Sequence, residues 1–501
     1  MSEKIHRGKI KTPPDPLVVK YLIKPGIEND IKYRYQAFID CNKAHVLMLA
    51  KQGIVQKDVA AAILRSNAEM AKSGDRPTFE VNPDREDFYF NMEAKLIEDV
   101  GIEIGGQQHT ARSRNDLYAT CARLAVRRAY FEMCGIFNRM RQAIIDVARE
   151  NTDAVFAGYT HMQPSEPITF AHYCSAILNA LERDYRRFAH AFDGLNICPL
   201  GGGSMGSTTW DIDREYTAKL LGFDKPVDNS IDCVATRDYA TDMLAALSIA
   251  SNTISRFCQD LYVWATPDYG YVEVSDSCAV CSSIMPQKKN PWVLEHIKAK
   301  AAHIEGCFIS ALNVMKNIIY SHSEEECGEA ANYLYPGLEE MKIACELMEV
   351  SIRGMIINKE RMLETARGNF CTVTELANYL VRHDNISFRM AHDIVADVVA
   401  YMIENNKKAD EIGTDVVNPI FMKLFGRTTT MTDEEVRAAL DPKTIAYAKK
   451  CIGGTAPEEV MRQLDSRQAG LDRDVAELQA RESAVNDAKT ELEAQVAAYI
   501  A

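Results

Sequence analysis

DLYATCARLAVRRAYFEMCGIFNRMRQAIIDVAREN, residues 116–151, decides the fold class. The stretch contains no proline. Leu124, Ala125, Ala129, Phe131, Ile136, Met140, Ile144 and Val147 recur along it at helical spacing. Residues 169–192, 238–266, 292–320 and 337–357 read the same way. Helices of about 20–35 residues measure roughly 30–50 Å at 1.5 Å per residue. Helices that long rarely bury their apolar faces within one chain, and usually join a large bundle, often between subunits. Strand signals are weak, so the expected fold is all-α.

The rest of the chain is punctuated differently. Residues up to about 110 mix short helical patterns with proline-bearing loops, and residues from about 368 onward are helical again. In the tail, Leu471, Leu478, Val485, Leu492 and Tyr499 repeat every seven residues, which suggests a packed or coiled-coil-like helix. Glu482 and Lys489 occupy intervening positions and argue against a second apolar seam. Gly201, Gly202, Gly203 and Gly206 form the most glycine-rich stretch. No strand precedes it and no Lys-Ser/Thr follows, so it reads as a turn rather than a phosphate loop.

Composition narrows the function. The chain has 501 residues and a formal net charge of −14, which gives it no electrostatic reason to bind nucleic acid or an anionic membrane. No apolar run is long enough to span a bilayer, and the basic residues 1–11 lack the apolar stretch of a secretory signal. Fourteen cysteines are scattered, and Cys278 and Cys281 form one C-x-x-C pair with no metal-ligating partner set. A reduced, cytoplasmic setting is expected.

Three polar segments interrupt the helices. Residues 105–116, GGQQHTARSRND, place Arg112, Arg114 and Asn115 at a helix start, where backbone N–H groups and arginine forks favour carboxylates. Taken alone they read equally well as caps and salt bridges. Residues 158–164, GYTHMQP, carry Thr160 and His161, and the histidine could handle a proton near neutral pH. Residues 281–291, CSSIMPQKKNP, set Ser282 and Ser283 before Lys288, Lys289 and Asn290. Lysine and asparagine donors there could stabilise a developing dianion, and a serine so surrounded could act as a base. Taken alone, this too reads as a solvated loop.

Together the segments resemble the aspartase/fumarase superfamily, whose signature is the Ser-Ser-x-Met-Pro-x-Lys-x-Asn-Pro pattern at residues 282–291. Within it the chain is similar to argininosuccinate lyases. Residues 109–116 differ from that family's usual wording mainly by Ala111 for glycine. Residues 158–161, 199–215, 229–230, 237–238 and 453–458 match. The resemblance spans roughly residues 35–465. It implies three helical domains, divided here as 1–112, 113–365 and 366–501, and a homotetramer with a shared twenty-helix bundle. It also implies sites built from three subunits. By resemblance, Ser282 is the base that removes a proton next to a carboxylate, Lys288 and Asn290 stabilise the aci-carboxylate, His161 handles protons and Glu295 orients it. Arg114, Asn115 and Thr160 align with substrate-carboxylate ligands, and Arg112, Ser283, Met285, Trp292, Tyr320 and His322 complete the candidate binding set. No metal or organic cofactor is implied.

The departures cluster on one side of the substrate. Cys281 replaces a glycine and Trp292 an aspartate. The family's Tyr…Gln…Lys set falls on His322, Cys327 and Ala330, or with a two-residue gap on Tyr320, Glu325 and Gly328. The N-terminal Ser and Asp contacts have no clear match near residues 27–31. The fumarate half reads as intact and the amine half as rebuilt. The expected activity is elimination of fumarate from an N-substituted aspartate, with an amine other than arginine leaving, as in ethylenediamine-disuccinate lyase. The alternatives are argininosuccinate lyase proper and, in a different class, an inactive crystallin-like structural homologue.

Overall fold

The structure, a computed structural model, describes residues 12–501; the basic segment 1–11 lies outside them. An N-terminal body is built on α1 (Tyr35–Lys51), α2 (Lys57–Ala71) and α3 (Phe88–Val100). The central body follows with α4 (Arg114–Glu150), a hairpin of β1 (Val155–Thr160) and β2 (Gln163–Thr169), α5 (Phe170–Leu195) and α6 (Asp238–Trp264). A short pair, β3 (Val280–Cys281) and β4 (Lys289–Asn290), precedes α7 (Trp292–Met315) and α8 (Leu334–Arg353). Beyond them come α9 (Val373–Asp384), α10 (Phe388–Glu404), α11 (Thr414–Phe425), α12 (Asp433–Leu440) and α13 (Pro457–Ile500). The five long helices are those read from the sequence, and the fold is all-α apart from two-stranded ribbons.

The five pack as a bundle: α6 lies against α5, α7 and α8, while α4 lies against α5 and α8. Phe137, Ile144, Phe188, Leu244, Phe257, Ile297 and Met341 are among the side chains filling its core. Helices α9 to α12 enclose a separate core around Leu380, Ile394, Val398 and Phe421. Helix α13 has 44 residues, about 66 Å at 1.5 Å per residue. Its seven-residue repeat is a seam packed onto other helices rather than half of a coiled coil. Leu471 and Leu478 enter the central core, and Leu492 and Val496 enter the N-terminal one. Asp474 in α13 is fully buried with Arg141 of α4 at 2.8 Å, and Arg186 of α5 reaches its other oxygen at 2.7 Å.

The bundle has two poles. At the first, Arg123 near the start of α4 donates to the Gly194 and Leu195 carbonyls at the end of α5, at 2.6 and 3.1 Å. Arg237, just before α6, meets Glu326, just before α8, at 2.9 Å. At the second pole, the Tyr159 hydroxyl beyond α4 lies 3.0 Å from that of Tyr271 beyond α6, and Val272 pairs with Ile357 beyond α8. A 37-residue α4 and a 24-residue α7 separate the poles by about 36–55 Å.

Ala111, which stands where the family's wording has glycine, adopts φ +61°. A Cβ in the left-handed region costs about 1–2 kcal/mol, most of which glycine avoids. Ala111→Gly is therefore expected to raise unfolding free energy by about 1 kcal/mol, read as a higher denaturation midpoint. A lower midpoint would show that contacts of the alanine methyl outweigh its backbone strain.

Candidate active site

The Ser282 loop belongs to the second pole. Strands β3 and β4 pair antiparallel, Val280 with Asn290 and Cys281 with Lys289, and pinch off residues 282–288. The Asn290 amide donates to the Val280 carbonyl at 3.3 Å and closes the base of the loop. Ser282 Oγ accepts the backbone N–H groups of Ile284 and Met285 at 3.3 and 3.1 Å. Two donors aimed at one hydroxyl oxygen favour its charged form. Ser283, Met285 and Lys288 are exposed on the same loop. The two adjacent lysines differ sharply. Lys289 is neutralised by Glu273 and Asp276, each at 2.7 Å, whereas the Lys288 ammonium makes no ion pair among the described residues. Its charge is available to an incoming anion.

The hairpin tip lies at the same pole. Thr160 pairs with Gln163 across a two-residue turn of His161 and Met162. Both turn residues have positive φ, +54° and +59°, the pattern of a type I′ turn, which favours Asn-Gly. Strain of this kind persists where the surroundings hold a side chain in place for use. Thr160 and His161 are exposed. Glu295 accepts the Tyr262 hydroxyl at 3.0 Å, and no hydrogen bond links it to its expected partner His161 within the chain. Trp292 is exposed and lies edge-on to His296.

The remaining candidates sit at the first pole. Ser113 and Asp116 form a capping box at the start of α4. The Arg114 guanidinium lies 2.5 Å from Asp87, and the Asn115 amide donates to the Ser204 carbonyl at 3.1 Å. The Tyr320 hydroxyl donates to Asp232 at 3.0 Å. His322 is half-buried, and its pKa is lowered by burial first and then by Arg237 and Arg114. Arg112 departs from the expected binding set: its guanidinium is turned into the protein, donating to Asn42 at 2.7 Å and lying against the Tyr89 ring.

Two groups at this pole were not singled out from sequence. The buried Asp116 carboxylate accepts the N–H groups of Gly201 and Gly203 at 2.8 and 3.0 Å, so it fixes the glycine turn that carries Ser204. A Cβ on Gly202 would fall 2.5 Å from that of Cys233, which excludes any larger residue there. His109 lies 2.8 Å from the Tyr89 hydroxyl. Burial, then Arg112 and Arg114, push its pKa down to about 4 and keep it neutral. The S-x-x-D spacing at residues 113–116 was visible as a capping signal, but the glycine partners of Asp116 lie 85 positions or more away.

A lyase family pattern matches residues 27–306, and an argininosuccinate lyase C-terminal pattern matches residues 370–446. The chain is 44% identical over 467 residues to argininosuccinate lyase 1 of Shouchella clausii, covering 93% of this chain and 94% of that one. It is 34% identical over 485 residues to argininosuccinate lyase of Methanocaldococcus jannaschii, covering 97% and 98%. An EDDS lyase variant solved with bound fumarate has TM-score 0.86 at 30% identity, covering 98% of this chain and 96% of that one. Fold and relatives together define a carbon–nitrogen lyase of the aspartase/fumarase superfamily, and within it the chain belongs to the argininosuccinate lyase family. No helix among the described residues is long and apolar enough to cross a membrane.

Proposed function

We propose that this chain catalyses reversible β-elimination of fumarate from an N-substituted L-aspartate, and that the departing amine is not arginine. The observation that carries the reaction is the Ser282 loop, with two backbone donors on Oγ and the unpaired Lys288 on the same loop. The proton next to a carboxylate is very weakly acidic. Its removal becomes feasible when the base is poised as an alkoxide and the resulting dianion is held by fixed donors. In this reading Ser282 takes the proton, Lys288 and Asn290 hold the aci-carboxylate, and His161 protonates the departing nitrogen. Thr160, Asn115 and Arg114 bind the carboxylates. A neighbour at TM-score 0.86 described with bound fumarate supports the fumarate half.

The two poles support a homotetramer. Ser282 and His161 lie at one, Arg114, Asn115 and His322 at the other, separated by about 36 Å or more. One chain cannot bring them together, whereas antiparallel packing of copies sets one pole against the other. Ile309 and Leu312 on α7 and Val350 on α8 are exposed apolar side chains suited to such packing. Light scattering at micromolar concentration is expected to give about four times 56.1 kDa; a stable active monomer would overturn the shared site. All fourteen cysteines are free thiols, which fits a reducing cytoplasm.

The choice of amine rests on the first pole. His322, Cys327 and Ala330 stand where the family's Tyr, Gln and Lys fall in the ungapped register. Glu326 is spent on Arg237, and Glu324, Glu325 and Glu329 are exposed. Carboxylates here attract a cationic amine and repel one that carries its own carboxylate. Losing a charge-assisted contact costs about 1.5–3 kcal/mol, or about 10–150-fold in specificity. N-aminoalkyl aspartates are therefore expected to exceed argininosuccinate in kcat/KM by at least tenfold. The names of the 44% and 34% identical relatives favour the second reading, argininosuccinate lyase proper. A tenfold or greater advantage for argininosuccinate would establish that reading.

A further inference from the structure

We propose that His322, Glu324 and Cys327 form a three-ligand site for a borderline-soft divalent cation of the zinc class. They are the only His/Cys/Asp/Glu group among the described residues whose ligand atoms all lie close enough together to hold an ion, within 4.8 Å of one another. His322 Nε2 is 3.9 Å from Cys327 Sγ. Zinc–nitrogen and zinc–sulfur bonds of about 2.0 and 2.3 Å at a tetrahedral angle need a separation of about 3.6 Å. Closing on an ion therefore takes shifts of a few tenths of an ångström between these two. The chain brings the three together by entering a π-helical turn, Glu325–Ala330, immediately after Glu324. Such widened turns recur at functional sites.

The donor set selects the ion. One imidazole, one thiolate and one carboxylate suit zinc and its neighbours better than magnesium or calcium, which want oxygen alone. Three protein ligands leave a fourth position open. The second ring nitrogen of His322, Nδ1, is buried, and the Val234 backbone lies within reach of the ring. A ligating histidine commonly aims its other nitrogen at a backbone carbonyl. The local charge also permits a dication. Arg237 is offset by Glu326 at 2.9 Å and Arg114 by Asp87 at 2.5 Å, which leaves Glu325 and Glu329, beside the ligand Glu324, without a salt-bridge partner among the described residues. On binding, the S–H bond is exchanged for a sulfur–metal bond and the proton goes to solvent, so affinity rises with pH.

The test is titration of the full-length chain, stripped with a chelator, with Co²⁺ and then Zn²⁺. One cobalt per chain is expected, with the visible bands of tetrahedral Co²⁺ and a thiolate-to-cobalt charge-transfer band that zinc abolishes. Cys327→Ser should remove the charge-transfer band, and Glu324→Gln should weaken zinc by about tenfold or more. Glu324 is exposed, so the second variant remains decisive even if the first fails to fold. A charge-transfer band that survives in Cys327→Ser, unchanged zinc affinity in Glu324→Gln, or only octahedral cobalt would overturn the site. These readouts are independent of turnover, so their failure and the failure of the lyase reading can be told apart.

Discussion

Ser282→Ala is expected to lower turnover by about 10²–10⁴-fold, the usual contribution of a positioned general base, with the fold retained. The side chain is half-exposed on a loop and fills no core, so its removal leaves no cavity. The N–H groups of Ile284 and Met285 that it accepts sit in exposed backbone and turn to water instead, which keeps the stability change within about 0.5 kcal/mol. The far-ultraviolet circular dichroism should therefore be unchanged while the release of fumarate all but stops. Retention of more than a tenth of wild-type turnover would assign the proton abstraction to another group.

The second large effect concerns folding. Asp474→Ala should cost about 3–5 kcal/mol, because it strands the buried Arg141 without its counter-charge. The two side chains are 2% and 0% exposed, and burial already pushes the Asp474 pKa up despite Arg141 and Arg186. Arg186 is partly exposed and finds Glu477 at 3.0 Å, so its loss of Asp474 adds little. Adding Arg141→Met to Asp474→Ala should recover most of the loss, because a buried pair replaced by apolar groups of similar volume is often neutral. Urea unfolding of the single and double variants measures both; equal stability of the two would mean that the aspartate matters through its own packing.

The long helices were legible because each carries an apolar stripe at helical spacing over twenty residues or more, and the structure places all five within a few residues of their expected bounds. The glycine turn was legible from the missing Lys-Ser/Thr ending, although, against expectation, a two-residue strand, Ile197–Cys198, does precede it. The seven-residue seam of the tail was visible as a period, but a period does not name its partner. Residues 457–500, grouped by sequence with the C-terminal region, lie against α4 and α5 because Asp474 and Leu478 find their counterparts there. At the site, the wording around Ser282 was specific enough to identify the superfamily and to place Lys288 in its pattern, but not to show that Lys289 is the lysine whose charge is neutralised. That distinction rests on Glu273 and Asp276, folded back from residues ahead of the loop. Arg112 and Arg114 are equally good carboxylate ligands on paper. Only the packing of α1 and α3 turns Arg112 inward to Asn42 and Tyr89 and leaves Arg114 beside the solvent.

Helix α13 also sets a timetable. Lys43 of α1 is buried and takes its carboxylate, at 2.8 Å, from Glu493, 450 positions later, and the core around α1 is completed by Leu492 and Val496. The body built on α1–α3 thus leaves the ribosome well before the segment that finishes it is made. Until then it carries an uncovered apolar groove and a lysine without its counter-ion, the kind of surface that favours aggregation and chaperone capture. Loop closure over such a span is slow relative to local helix formation. Nascent chains halted shortly before residue 457 should therefore hold α1–α3 in a compact but protease-sensitive state, which tightens only when α13 swings back across both cores.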